Sequence, residues 1–313
     1  MFTEKDIVTI GEGLIELSSP SSLITTETFN KSYGGDTLVS VVAGARLGLK
    51  TGYITKVGND HFGEYLMDAW SVENIDISQV KLSNGLNGFY FLTKENDGNK
   101  ATYYRKKTAA SELSIDDINF DYIKNTKMFY ATGFVQSLSL SCAEVVREIY
   151  SFAKQNNILT AYNVNFSGNV WSAQEAKEAF EEIAQNIDIL IIDAKKDAPA
   201  IFGFDSVDKI IKQTSDMTIK TVIIKDDDSV YLDNEGQVIQ EKRIQFEHSS
   251  AGNLTGINAG FNGVFLNYYL NKSPYEALKY AICAEFLQKQ KIGAVRSIPT
   301  KQEIEELYNR IYE

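Results

Sequence analysis

Apolar residues along the 313-residue chain recur with two different spacings. Short β-branched runs, such as Ile7-Val8-Thr9-Ile10 ahead of Gly11-Glu12, read as buried strands. Similar runs lie at 51–57, 88–94, 101–106, 128–132, 159–163, 187–192 and 221–225. Between many of them, apolar residues recur at helical spacing, as in 37–47, 62–72, 141–155, 173–186 and 207–215. From about Met128 strand and helix alternate regularly, which predicts a parallel sheet with helices on both faces. Runs 88–94 and 101–106 break that rhythm. They are joined by the polar stretch Glu95-Asn96-Asp97-Gly98-Asn99, whose Asp-Gly step predicts a β-hairpin. With 14–18 and 26–32 they would form a small sheet covering one end of the main one. In the absence of a low-complexity linker or internal repeat, the predicted organisation is a single domain, 1–313, with a lid from about 14–32 and 88–107.

Composition narrows the possible functions. At 43% hydrophobic and 12% aromatic residues, the chain can bury a continuous core and is not of disordered type. A formal charge of −11, from 31 basic and 42 acidic residues, argues against nucleic acid or an anionic membrane as partner, since both need a positive field. Cys142 and Cys283 lie in apolar runs, so two buried thiols in a reducing compartment are expected rather than a disulfide. No His/Cys/Asp spacing suggests a metal site. The opening residues do not read as a signal segment and no apolar stretch reaches about 18 residues, so a soluble, cytoplasmic protein is expected.

Several motifs, in order over nearly the whole chain, give a more specific picture. They are Gly11-Glu12-Gly13-Leu14-Ile15-Glu16-Leu17, Gly34-Gly35-Asp36-Thr37-Leu38, Lys56-Val57-Gly58-Asn59-Asp60-His61-Phe62-Gly63, Tyr103-Tyr104-Arg105-Lys106 through Ala109-Ala110-Ser111, and Gly293-Ala294 with Ser297-Ile298-Pro299-Thr300. This set resembles the ribokinase (PfkB) family of carbohydrate kinases, most of all its 2-keto-3-deoxygluconate kinase branch. The resemblance implies a ribokinase-like three-layer α/β/α sandwich with a mostly parallel sheet and a small β-sheet lid. It also implies transfer of phosphate from ATP, with Mg²⁺, to a hydroxyl of a sugar or sugar acid.

On the sugar side, the resemblance places Gly34, Gly35 and Asp36 against the ligand, together with Tyr90, Tyr103, Arg105 and Asn165. Glycines let ligand oxygens approach the backbone closely. Tyr103 and Arg105, two apart on a predicted strand, would share a face and offer a ring surface and a carboxylate-binding fork. Three positions depart from the family. Val39 stands where an asparagine usually contacts sugar hydroxyls, and in Asn163-Val164-Asn165-Phe166-Ser167 an aspartate has become Asn163 and an arginine Ser167.

The nucleotide side departs further. Where the family has D-T-x-G-A-G-D entering a helix, this chain has Ser249-Ser250-Ala251-Gly252-Asn253-Leu254-Thr255-Gly256-Ile257-Asn258-Ala259-Gly260-Phe261. One register puts Thr255, another Ala259, where the family has its aspartate base, and neither can take a proton at neutral pH. From Ser249 to Pro274 there is no Asp or Glu. Asp193 and Lys196 replace the family's asparagine and glutamate, and Lys225 is followed by Asp226-Asp227-Asp228 instead of a glycine-bearing turn. The nucleotide-binding candidates are thus Asp193, Lys225, Gly252 and Asn253, with His248 and Glu247 as an alternative source of a base. Helical spacing of Ile257, Phe261, Val264, Phe265 and Tyr268 predicts that the helix survives, capped by Thr255. The chain then reads as a kinase-type protein with lost or reduced phosphotransfer that still binds a small sugar. An active sugar or sugar-acid kinase is the first alternative, and a structural protein forming a homo-oligomer through the lid the second.

Overall fold

The computed structural model describes residues 3–95, 98–245 and 255–313. The chain forms two compact units, one of residues 1–10 and 113–243, the other of residues 11–112 and 244–313.

In the first unit, seven strands are ordered Gln237–Lys242, Ser229–Asn234, Thr221–Lys225, Ile189–Asp193, Leu159–Asn163, Thr126–Thr132 and Lys5–Ile10. The five from Thr221–Lys225 to Lys5–Ile10 run parallel, and the other two add an antiparallel hairpin. Parallel strands are buried on both faces, which is why these read as unbroken apolar runs rather than alternating ones. Val8, Phe129, Tyr130, Ile189, Ile191 and Ile223 are fully buried. Helices Leu140–Gln155, Ala173–Ile183 and Val207–Asp216 fall in the intervals between parallel strands, as the alternation predicts. The Ala173–Ile183 helix stops three residues short of the expected 186, where Ala184–Asn186 tightens into a 3₁₀ turn. The hairpin Ser229–Asn234 with Gln237–Lys242 was not expected: its alternation of exposed and half-buried residues is that of an edge, with a weaker apolar signal.

In the second unit, Thr51–Gly58 pairs in parallel with Val80–Ser83. A separate four-stranded sheet has the order Asn30–Gly34, Leu14–Ser19, Gly88–Glu95, Gly98–Tyr104. Its central pair is parallel and the outer pairs antiparallel. The predicted hairpin is present, with Glu95 opposite Gly98 across the two-residue connection. Two expected boundaries move. The strand expected at 26–32 is Asn30–Gly34, and the one expected at 101–106 ends at Tyr104 because Arg105–Lys107 turns away, Lys107 taking φ +55°. Helices Asp36–Arg46, His61–Val72, Ile257–Asn271, Pro274–Gln288 and Lys301–Tyr312 complete the unit. Helix Ile257–Asn271 is buried along most of its length, from Ile257 and Ala259 through Tyr268.

Both cysteines are buried and neither forms a disulfide. Among the described residues no helix is long and apolar enough to cross a membrane.

Candidate functional site

The small sheet of the second unit carries three of the sugar-side candidates, Gly34, Tyr90 and Tyr103. Successive strand residues point to opposite sides, so Leu14, Glu16 and Ser18 align with Gly88, Tyr90 and Leu92 across the parallel pair. Tyr103 lies opposite Tyr90, and the two rings stack with centroids 5.1 Å apart. Tyr90 is 1% exposed and donates its hydroxyl to Glu16 Oε2 at 2.6 Å. The same oxygen accepts the Ala294 backbone N–H at 3.0 Å. Burial raises the Glu16 pKa, with the Tyr90 and Ala294 bonds pulling it back. Tyr90 is therefore committed to a buried carboxylate. The ring available at the surface is that of Tyr103, 49% exposed.

The glycine pair answers to packing first. A Cβ on Gly34 would lie 2.5 Å from the Tyr90 hydroxyl. Gly35 adopts φ +142°, and a Cβ there would lie 2.2 Å from the Glu12 carbonyl oxygen. Only glycine accepts both demands. Gly35 is the N-cap of helix Asp36–Arg46, so the Asp36 carboxylate sits in its first turn, where the helix dipole favours a negative charge. Val39 is fully buried in this helix, consistent with a packing role in place of the family's asparagine.

Arg105 is placed differently from the expectation that it shares a strand face with Tyr103. The strand has ended, and its guanidinium reaches Glu12, Nη2 to Oε2 at 2.5 Å, with the side chains 11% and 4% exposed. The Thr108 hydroxyl donates to the other Glu12 oxygen. Burial raises the Glu12 pKa, opposed by the Arg105 charge and the Thr108 bond. Motif reading missed Glu12 and Glu16 as site groups. The signal was there: two carboxylates within the apolar run Gly11–Leu17 must either be buried with partners or disrupt the strand.

At the entrance of helix Ile257–Asn271 the expected Thr255 cap is absent. Gly256 is the N-cap, at φ +80° and without a side-chain capping bond. The Gly256 carbonyl accepts the Gly260 N–H at 2.8 Å and also the buried Gln288 side chain, Nε2 at 3.2 Å, which donates in addition to the Ala294 carbonyl at 3.3 Å. Ala259, the alternative base position, is buried, and its carbonyl accepts the Ser40 hydroxyl at 2.7 Å. Gly252, Asn253, Glu247 and His248 lie outside the described residues.

The remaining candidates, Asn165, Asp193 and Lys225, belong to the first unit. Asn165 takes φ +41°, a left-handed conformation that asparagine tolerates. Asp193 ends its strand beside Lys225, its register partner on the neighbouring strand. The Asp193 carboxylate accepts the backbone N–H groups of Lys195 and Lys196 at 2.9 and 2.8 Å. Lys225 is buried, and Asp226-Asp227-Asp228 forms the turn into the next strand, with Arg243 Nε donating to the Asp226 carbonyl at 3.0 Å.

An unanticipated group links these loops. Asp197, 3% exposed, accepts the Phe166 N–H at 2.8 Å and the Asp193 N–H at 2.9 Å, one on each oxygen. Burial pushes its pKa up to about 6 from an ordinary 3.8, the two backbone bonds opposing. A raised carboxylate pKa means that the folded chain binds its proton more readily than the unfolded one. Stability therefore falls as pH rises from about 4 to about 6 and is flat above that. Asp197→Asn is expected to remove this contribution. Relative to the variant, the native protein should lose on the order of 3 kcal/mol of unfolding free energy over that window, from about two units at ~1.4 kcal/mol each. Urea unfolding at pH 4, 5, 6 and 7 checks it, and parallel curves for the two proteins would refute it.

The strand order and the separate small sheet, with Tyr90 bonded to the buried Glu16, define an α/β protein with a mostly parallel main sheet. The chain belongs to the pfkB family of carbohydrate kinases, whose pattern it matches over residues 4–301. It is 27% identical over 238 residues to 2-dehydro-3-deoxygluconokinase of Escherichia coli strain K12, spanning 71% of this chain and 73% of that protein. A solved 2-dehydro-3-deoxygluconokinase from Thermotoga maritima superposes with a TM-score of 0.87 at 21% identity, over 97% of this chain and 99% of that one. Fructokinase from Xylella fastidiosa with bound ATP gives 0.84 at 18% identity, over 99% and 100%. The fold is thus ribokinase-like, with a large, mostly parallel sheet and a smaller one.

Proposed function

We propose that this carbohydrate-kinase-family protein binds a small sugar through its small sheet and has lost most of the phosphotransfer that its family performs. The observation that carries this reading is the entrance of helix Ile257–Asn271. Thr255-Gly256-Ile257-Asn258 places no carboxylate there, and the chain has none from Ser249 to Pro274. A sugar hydroxyl attacking a phosphoryl group must give up its proton, and a threonine hydroxyl has no basicity to receive it near pH 7.

The nucleotide side supports the same reading. When bound, ATP with Mg²⁺ would supply the phosphoryl group. The described residues at that end do not fit a polyphosphate. Asp193 is engaged with the Lys195 and Lys196 amides, and Lys195 Nζ pairs with Asp205 at 3.1 Å. Lys225 is buried at the head of a run of three aspartates. Carboxylates gathered beside a triphosphate repel it.

Two melting curves separate the outcomes. A millimolar sugar ligand is expected to raise the melting temperature by several degrees, whereas millimolar ATP with Mg²⁺ moves it by less than about 1 °C, since stabilisation follows RT ln(1 + [L]/Kd). A large shift with ATP and Mg²⁺ would count against the eroded nucleotide site, and a flat response to every sugar would count against the retained sugar site.

A further inference from the structure

Resting on the sugar-binding reading above, we infer that Asp197 is a positioning residue for it: its carboxylate clamps the loop that follows strand Leu159–Asn163 and so fixes Asn165 to meet the ligand. Both partners of the clamp lie in the first unit. Asn165 takes φ +41°, is half-buried, and among the described residues its side-chain amide bonds no other group. The backbone on either side of it is held. The Val164 N–H donates to the Ile191 carbonyl at 3.1 Å, and the Phe166 N–H to Asp197 Oδ1 at 2.8 Å. A residue other than glycine at positive φ persists only where its surroundings fix it, and here one of the two fixing bonds ends on a side chain.

Asp197 is itself firmly seated. Its N–H donates to the Asp193 carbonyl at 3.0 Å, its carbonyl accepts the Ala200 and Ile201 N–H groups, and its Oδ2 accepts the Asp193 N–H at 2.9 Å. With one oxygen tied to the end of strand Ile189–Asp193, the other faces the loop of the neighbouring parallel strand. N–H groups arriving on both oxygens call for a carboxylate, since an amide offers one oxygen and turns a donor toward the second N–H. Keeping that carboxylate 3% exposed is unfavourable. Burial raises its pKa, the two amides oppose the rise, the Asp193 charge adds to it and Lys196 opposes it, while the facing Tyr162 hydroxyl, held neutral by burial, donates to Gln136. A staple serving the fold alone is better made without a charge, whereas a charge kept at the expense of stability marks geometry that serves binding.

The ionised form is the one that clamps. A carboxylate accepts stronger bonds than a neutral acid does, and protonation turns one oxygen from acceptor to donor, which releases Phe166 or Asp193. Ligand binding then favours the ionised form, and affinity falls as pH drops through the region of about 6.

The test is calorimetric titration of the intact chain with fructose, ribose and 2-keto-3-deoxygluconate at pH 5 and pH 7. The native protein should bind its sugar up to about tenfold more tightly at pH 7, the ratio of the ionised fractions of Asp197 at the two pH values. Asp197→Asn, which keeps the shape and loses the charge, should bind about tenfold more weakly than the native protein at pH 7 and equally at pH 5. A second readout needs no ligand. Trp171 ends the same loop, its N–H on the Ser167 carbonyl at 3.4 Å. Its fluorescence, taken as the difference from Trp171→Phe, should titrate with a midpoint near pH 6 in the native protein and stay flat in Asp197→Asn. An Asp197→Asn protein that binds sugar as the native one does, with the same pH profile, would make Asp197 a structural staple and overturn the inference. So would a native Trp171 signal that is flat from pH 5 to pH 7. If none of the three sugars binds while Trp171 titrates, the sugar-site reading falls and the clamp on the loop stands, a different failure from either of these.

Discussion

Given ATP, Mg²⁺ and ketodeoxygluconate, fructose or ribose, the protein is expected to turn over about 10²–10⁴-fold more slowly than an active relative assayed beside it, the usual cost of losing a general base. The expectation follows from chemistry at one place. Thr255 and the N-cap Gly256 stand at the helix entrance, and Ala259, the other position in register, is buried with a methyl side chain. None can hold a proton at neutral pH. Thr255→Asp alone is expected to recover little, because Leu254 stands where the family has a glycine whose backbone must come close to the phosphate. Restoring the glycine as well should recover more than either change by itself, since base and phosphate cradle act on the same transition state. Turnover by the native protein at the rate of its active relatives would remove the proposed loss, and would direct attention to Glu247 or His248 as the proton acceptor.

How far the sequence carried this account depended on the kind of feature. The parallel strands were legible because burial on both faces leaves an uninterrupted apolar run, and the hairpin at 88–104 because Asp-Gly is chemistry specific to a tight turn. Helix Ile257–Asn271 was legible from its spacing, but its start was not. Thr255 looked like a cap, whereas a glycine at positive φ begins the helix and the buried Gln288, more than thirty residues on, also donates to its carbonyl. A long-range partner of that kind leaves no local mark. Helices Pro274–Gln288 and Lys301–Tyr312 passed unremarked although each opens with a capping box, Ser273 with Glu276 and Thr300 with Glu303. The site candidates show the same division. Motif order singled out Gly34, Gly35, Tyr90, Tyr103 and Arg105; Gly34, Tyr90 and Tyr103 lie in the small sheet, whereas Gly35 caps a helix and Arg105 follows the end of its strand. Motif order could not show that Tyr90 and Arg105 are each engaged by a carboxylate, because the first pairing depends on the register between strands Leu14–Ser19 and Gly88–Glu95 and the second on where strand Gly98–Tyr104 ends, both set by tertiary contacts. Asp197 was invisible for a related reason. Its two partners are backbone amides, one of them thirty-one residues away, and any residue but proline could supply them.

The Glu12–Arg105 pair is also expected to be a structural strut, with a large effect on stability. Arg105→Ala should cost about 3–5 kcal/mol, the range for removing one partner of a buried ion pair and leaving the other charge uncompensated. The cost should depend on pH in a direction that geometry fixes. Burial already raises the Glu12 pKa above 4.5 and the arginine opposes the rise, so its loss moves the pKa further up. With its folded pKa above the unfolded one, the variant loses stability as pH rises through that interval, and its deficit relative to the native protein should widen as pH rises above the ordinary carboxylate range. Replacing both partners by apolar side chains, Glu12→Leu with Arg105→Met, should restore much of what the single change loses, because no charge is then left buried. Urea unfolding of the native protein, Glu12→Leu, Arg105→Met and the double variant measures the coupling directly. A single-variant loss below about 1 kcal/mol would mean that water or another side chain compensates Glu12. Arg105 would then not be locked, and a ligand carboxylate could take Glu12's place on it.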